Sequence, residues 1–273
     1  MTQMTLLTHV ETDSAPFHVL PSDRLLFVGS CFAANIGEKF AQNQFCTLVN
    51  PYGVMYNPVS VLHTVQRAVA DGTVGEGGVD VAVFTLGTNH VYILNETGEI
   101  VDNCRKRPQR LFTERELSVG ECAEALQTAI DTLRQLNPQT KVVLTVSPIR
   151  YAKYGYHGSR LSKATLLLAA DGIIKGTRDT SYFPAYEIMN DELRDYRFYQ
   201  PDMLHPSPQA VDYIYSRFDD VYFTDETRAF VREWQPIRAA LAHRPFNPDG
   251  DEYKRFLADT QEKERQFRLK WKL

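Results

Sequence analysis

The sequence predicts a three-layer α/β/α sandwich, a parallel sheet with helices on both faces. Two observations carry this. The runs Leu25–Val28, Val79–Leu86 and Lys141–Val146 are nearly continuous in apolar residues, as strands covered on both faces require. Segments of helical period separate them, and strand and helix alternate to about residue 190, the pattern of right-handed βαβ crossovers.

Residues 1–22 are polar and mixed, and an irregular lead-in over the outside of the domain is expected. Arg24–Gly29 is the first strand. Ala33–Phe40 follows as a helix, with Ile36 and Phe40 on one face. Phe45–Val49 is a short strand. The run Asn50-Pro51-Tyr52-Gly53-Val54-Met55-Tyr56-Asn57-Pro58 is a structured loop, because residues before proline leave the helical region. Val59–Ala70 has a Val61, Leu62, Val65 and Val69 stripe, and Gly72–Gly78 breaks the chain. After the strand ending at Leu86, residues 91–94 and 99–101 flank Asn95-Glu96-Thr97-Gly98 and predict a β-hairpin inserted beside the main sheet.

Thr113–Leu136 predicts one long helix with Thr113 and Glu116 as a capping box. Tyr151–Gly158 is expected as a loop, and Arg160–Ile174 as a helix presenting Leu161, Leu166, Leu168 and Ala169. Tyr182–Ile188 is the last core strand expected, and Gln209–Phe218 a helix. A charged helical extension over about 225–273, broken at 244–250, completes a single domain.

The chain has 273 residues, 43% hydrophobic and 23% charged, enough to bury a substantial core. A formal net charge of −4 gives no electrostatic case for nucleic acid or an anionic membrane. Cys31, Cys46, Cys104 and Cys122 form no CxxC pair, which fits reduced thiols rather than a disulfide framework or a zinc site. No stretch approaches the roughly 18 apolar residues of a membrane span, and no basic region precedes an apolar run at the start. The expectation is a cytoplasmic protein without cofactor or metal.

Polar residues sit where three strands end, at Gly29-Ser30, Gly87-Thr88-Asn89 and Ser147-Pro148. In a parallel sheet those ends share one edge. The Asp202-Met203-Leu204-His205 loop follows the last strand and reaches the same edge. A serine hydroxyl needs a base to take its proton, and the base needs an acid to orient it. Ser30, His205 and Asp202 can supply that triad. The amides of Ser30 and Gly53 and the side chain of Asn89 can donate to an oxyanion. Each also has an ordinary structural reading: Ser30 as a helix cap, Asn89 as a turn residue, Gly53 as a turn glycine.

Gly29-Ser30-Cys31-Phe32-Ala33 resembles the signature of the GSCFA family of bacterial proteins. The Asn50–Pro58 run, Gly87-Thr88-Asn89, Asn103-Cys104-Arg105-Lys106, Ser147-Pro148-Ile149-Arg150, Leu161-Ser162-Lys163-Ala164 and Asp202-Met203-Leu204-His205-Pro206 are similar to its further motifs. The resemblance runs from about residue 20 to about 250. That family in turn resembles the SGNH (GDSL-like) hydrolases, which implies a flavodoxin-like sandwich and esterase chemistry. Block by block, it implies Ser30 as nucleophile, Gly53 and Asn89 as oxyanion residues, and Asp202 and His205 as the DxxH pair. The Gly-Asp-Ser of the superfamily is Gly29-Ser30-Cys31 here, without the aspartate.

Cys31 is assigned to packing. Cys104 lies in a basic setting that can lower its pKa, but with no histidine near it in sequence a structural role is the expected one. Asn57, His90, Arg105, His157 and Lys163 are candidate substrate contacts, and His90 is a competing base without an acid partner at short spacing. The sequence therefore predicts an SGNH-type esterase cleaving an O-acyl ester, with acetyl on a carbohydrate or small metabolite as its substrate. The alternatives are an acyltransferase with the same triad and an inactive ligand-binding module.

Overall fold

The computed structural model describes residues 8–12, 14–247 and 249–273. The first seven residues of the expected lead-in, Asp13 and Pro248 lie outside this range. In chain order the first elements are β1 (Arg24–Gly29), α1 (Cys31–Gln42), β2 (Cys46–Val49), α2 (Pro58–Ala70), β3 (Val81–Leu86), β4 (His90–Leu94), β5 (Ile100–Val101) and β6 (Phe112–Glu116). They are followed by α3 (Val119–Leu136), β7 (Lys141–Val146), α4 (Gly155–Gly176), β8 (Thr180–Tyr182), the helical turn α5 (Ala185–Glu187), α6 (Pro208–Tyr222), α7 (Asp225–Leu241) and α8 (Asp251–Trp271).

The central sheet has the order β2-β1-β3-β7-β8, all parallel. Its apolar runs split residue by residue between two layers, as alternating side chains must. Leu25, Phe27, Val81, Val83 and Val143 pack with α1, α6 and α7, whereas Leu26, Val28, Ala82, Phe84, Leu86, Val142, Leu144 and Val146 pack with α2, α3 and α4. This is the predicted three-layer α/β/α sandwich. Phe40 centres the first layer, with Phe27, Phe45, Tyr215, Phe218 and Phe223 all 5.0–5.6 Å from its ring. The lead-in is tied down where Val19 N donates to Tyr222 O at 2.9 Å.

Several elements differ from expectation. Thr113 and Glu116 do not cap a helix. They lie in β6, antiparallel to β4, with His90 opposite Glu116 and Ile93 opposite Thr113. The inserted hairpin is therefore a three-stranded sheet of order β5-β4-β6. The capping box falls on Ser118 and Glu121, where α3 starts; both pairs carry the same S/T-x-x-E signature, and cross-strand pairing claims the first. Tyr182–Ile188 is not a strand beyond Tyr182. The sheet ends there because Pro184 brings a helical turn that passes into a π-helical stretch, Ile188–Glu192. Helix α4 begins at Gly155, five residues before Arg160. Its buried face is Ser159, Ser162, Lys163, Leu166, Ala169, Ala170 and Ile173, while Leu161 and Leu168 are exposed.

The C-terminal helices pack onto the sandwich. Phe230, Trp234 and Phe267 join the first layer, and Trp234 Nε1 donates to Gln42 O at the end of α1 at 2.7 Å. No helix among the described residues is long and apolar enough to cross a membrane.

Gly29 ends β1 with φ 146°, and a Cβ there would stand 2.2 Å from Thr85 O. Only glycine allows β1 and β3 to close this tightly in front of Ser30. Gly29→Ala is expected to destabilise the fold by roughly 2–4 kcal/mol, measured by urea denaturation. A variant as stable as the wild type would show that the two strands separate without cost.

Candidate active site

The ends of β1, β3 and β7 meet in a buried polar junction. Ser30 leaves β1 in extended backbone (φ −66°, ψ 178°) and caps α1, its Oγ accepting from Phe32 N at 3.2 Å. The same Oγ donates to Ser147 Oγ at 2.9 Å and shares a hydrogen bond with Thr85 Oγ1 at 3.1 Å. Ser30, Thr85 and Ser147 are all buried.

Asp202 and His205 sit together in the loop before α6. Asp202 Oδ1 accepts from the amides of Leu204 and His205 at 2.9 and 3.0 Å, and its Oδ2 lies 2.6 Å from His205 Nδ1. The two amides, with the imidazole, hold the Asp202 carboxyl down at about 2. With Nδ1 engaged, Nε2 is the ring nitrogen left for a partner. Arg150 fixes the loop from β7: its amide donates to Leu204 O and its Nη1 to Met203 O, both at 3.0 Å.

Ser30 and His205 line one cavity of about 270 Å³, with Tyr56, Tyr151, Lys153 and Leu204 among its walls. Among the described residues no hydrogen bond joins Ser30 Oγ to His205; the hydroxyl is turned toward Ser147. Tyr151 meets Tyr56 edge-on at 5.8 Å and stacks on Tyr154. Burial pushes its phenol well above the usual range, so the Tyr151 side chain stays neutral.

The three expected oxyanion donors are engaged elsewhere. Ser30 N donates to Thr85 O and Oγ1 at 3.1 and 3.0 Å, because β1 and β3 remain paired through the turn. Gly53 N closes a turn on Asn50 O at 2.8 Å. Asn89 Nδ2 donates to Leu117 O at 2.7 Å, where the β4–β6 sheet folds back. Neither Gly53 nor Asn89 lines the Ser30 cavity.

The candidate substrate contacts divide in the same way. Asn57 caps α2, its side chain accepting from Ser60 N at 2.9 Å. His90 is buried against Tyr154, rings stacked at 3.6 Å, and burial lowers its pKa. It has acids after all, Glu114 at 3.4 Å and Glu116 at 3.7 Å, supplied from β6. His157 is exposed on the first turn of α4 and is not part of the cavity wall. Arg105 lines a different cavity. The Cys104 thiol is pushed up by burial, the reverse of the expectation from its basic neighbours in sequence.

Lys163 does not line the Ser30 cavity. It is 2% exposed, and its Nζ donates to Gly87 O at 2.7 Å and Ser147 O at 2.8 Å. Beside it, Ser162 Oγ accepts from Asn89 N and pairs with Thr88 Oγ1, both at 3.0 Å. One turn of α4 thus holds the ends of β3 and β7. Burial pushes Lys163 down to about 7, against the pull of two carbonyl acceptors that favour its charged form.

Sequence reasoning missed Thr85, Tyr151, Lys153 and Arg150. Ser147 was visible as a strand-end polar residue, but its bond to Ser30 spans 117 positions and leaves no local signal.

The GSCFA family model matches residues 24–79 and 76–218, and the model for the C-terminal domain of GSCFA domain proteins matches residues 234–272. No curated protein matches the chain. Among solved structures, the chain is similar to a family 3 carbohydrate esterase from Clostridium thermocellum, with 11% identity, TM-score 0.44, and 81% of this chain and 100% of that chain covered. It is also similar to a protein described as a GDSL-like lipase from Parabacteroides merdae, with 13% identity, TM-score 0.47, and coverage of 76% and 100%.

The Lys163 pKa has a stability consequence. From about pH 7 upward the fold releases the Lys163 proton, while the unfolded chain keeps it up to about the usual 10.5. The unfolded state then binds more protons, so stability rises with pH across that window. The wild-type stability measured by urea denaturation is expected to rise between these pH values relative to Lys163→Met. Parallel curves for the two proteins would refute the assignment.

Proposed function

The chain belongs to the GSCFA family, and from that premise we propose that it is an SGNH-type serine hydrolase of O-acyl esters, with acetyl on a carbohydrate or small metabolite as the substrate. The observation that carries this reading is the shared cavity: Ser30 and the Asp202-bonded His205 open onto the same space.

The chemistry follows from the groups present. Ser30 Oγ turns from Ser147 toward His205 by rotation about χ1. It attacks the ester carbonyl as His205 Nε2 takes its proton. Asp202 keeps Nδ1–H in place and stabilises the imidazolium. The proton then passes to the departing alcohol, leaving an acyl group on Ser30. Water, deprotonated by the same imidazole, releases the acid and restores the serine. The oxyanion develops beside the Cys31 amide, the first N–H of α1, where the helix N-terminus favours negative charge. The Ser30 amide joins it only on releasing Thr85.

A second reading, a ligand-binding module without turnover, is favoured by the engagement of the Ser30 hydroxyl and amide with Ser147 and Thr85. Labelling by a fluorophosphonate separates the two, since only a serine activated by its base reacts.

Hydrolysis of p-nitrophenyl acetate is expected to fall at least about 1000-fold in Ser30→Ala and on the order of 10,000-fold in Asp202→Asn. Unchanged rates in Ser30→Ala would remove the assignment. Because Asp202 is held down at about 2, it stays ionised down to that region. Any loss of rate at higher pH therefore belongs to a group other than Asp202.

A further inference from the structure

A second cavity, of about 460 Å³, lies on the other side of a short strap from Ser30. The strap is residues 53–56. Gly53, Val54 and Met55 line the second cavity, and Tyr56 lines the Ser30 cavity. Met55 N donates to Gly29 O at 2.8 Å, stitching the strap to the residue before Ser30. The strap thus contributes a wall to each space.

The second cavity is basic in a chain of net charge −4. Arg67 enters from α2, and Arg105 and Arg107 from the loop after β5; Asp102 is the one carboxylate in its wall, and it is bonded to His63 at 3.0 Å. Arg67 lies over the Tyr52 ring at 3.9 Å with Asp71 beyond it at 3.8 Å. Among the described residues Arg105 and Arg107 meet no carboxylate; Arg107 rests on Phe112. Guanidinium groups facing one concave space focus a positive field there. The ligand that matches it is an oxyanion, which guanidinium binds through paired hydrogen bonds.

We propose that this cavity binds a phosphate or carboxylate group of the substrate while the ester crosses the strap to Ser30. The oxyanion site stands on its own geometry; its link to turnover rests on the esterase reading above. The substrate class is then an anionic acyl ester, recognised at one end by arginine and cleaved at the other.

Calorimetric titration of the full chain with inorganic phosphate, and separately with citrate at matched ionic strength, tests the site and separates the two anion chemistries. Saturable binding of at least one is expected, weakened at least tenfold in the Arg105→Ala/Arg107→Ala double variant and retained in Ser30→Ala. The absence of saturable binding to either, or equal affinity in the double variant, overturns the proposal. Turnover is compared with an acetylated hexose and the corresponding acetylated hexose 6-phosphate. At least a tenfold higher kcat/KM is expected for the phosphorylated ester if phosphate is the preferred anion. Equal kcat/KM for the two, in a protein that binds phosphate, overturns the substrate assignment. Phosphate binding by a protein whose Ser30 hydrolyses neither ester removes the esterase reading and leaves the oxyanion site in place.

Discussion

One buried ammonium holds the strand ends in register. Lys163 donates to Gly87 O and Ser147 O, and so ties the exit of β3 to the exit of β7. A parallel sheet leaves the carbonyls at its carboxyl edge without partners once the chain turns away, and buried carbonyls need donors. A long side chain carrying three donors can serve two strands at once. The cost is a charge placed out of water with no carboxylate paired to it among the described residues, which is why burial drives its pKa down. Lys163 comes from α4, so the helix that covers one face of the sheet also sets the geometry of its edge.

The Ser30 environment follows from this anchoring. Ser147, held at its carbonyl by Lys163, accepts a hydrogen bond from Ser30 Oγ; Thr85, held by strand pairing, accepts from the Ser30 amide. Gly29 has to be glycine because Thr85 O occupies the space of a Cβ. The serine is therefore fixed from three strands, by its own place at the end of β1 and by the Thr85 and Ser147 hydroxyls from β3 and the end of β7.

The sandwich was legible because its signal is local. Strands buried on both faces are continuous apolar runs, and β1, β3 and β7 fall where those runs lie. β6 was not legible: Phe112–Glu116 carries three charged residues, and only its pairing with β4 makes it a strand. The Asp202–His205 pair was legible because the two lie only three positions apart in a turn. The partners of Ser30, the acids of His90 and the carbonyls of Lys163 were not, since each comes from a distant segment and any sequence spacing is compatible with them. Lys163 illustrates the limit best. A lysine flanked by Ser162 and Ala164 on an amphipathic helix suggests a rim residue, and only the helix phase, which places it in line with Ser159 and Leu166, turns it inward.

The two halves of the candidate site differ in how firmly they are held, and that difference bears on mechanism. Ser30 is buried at the junction of three strands, whereas Asp202 and His205 lie on an exposed loop, their side chains 42% and 35% accessible. Local stability follows contact density and burial, so the loop is the softer partner. The resting serine is bonded to Ser147, and the imidazole that shares its cavity is already aligned by Asp202. On the proposed reading, an ester filling the cavity between Tyr151 and Leu204 displaces the Ser30 hydroxyl from Ser147 and gives His205 a proton to take. Activation then depends on occupancy of the cavity, and an empty site keeps its nucleophile capped. On the same proposed reading the buried sheet edge positions the serine and the more exposed loop presents the imidazole, with the Arg150 bonds to Met203 and Leu204 as the tether between them.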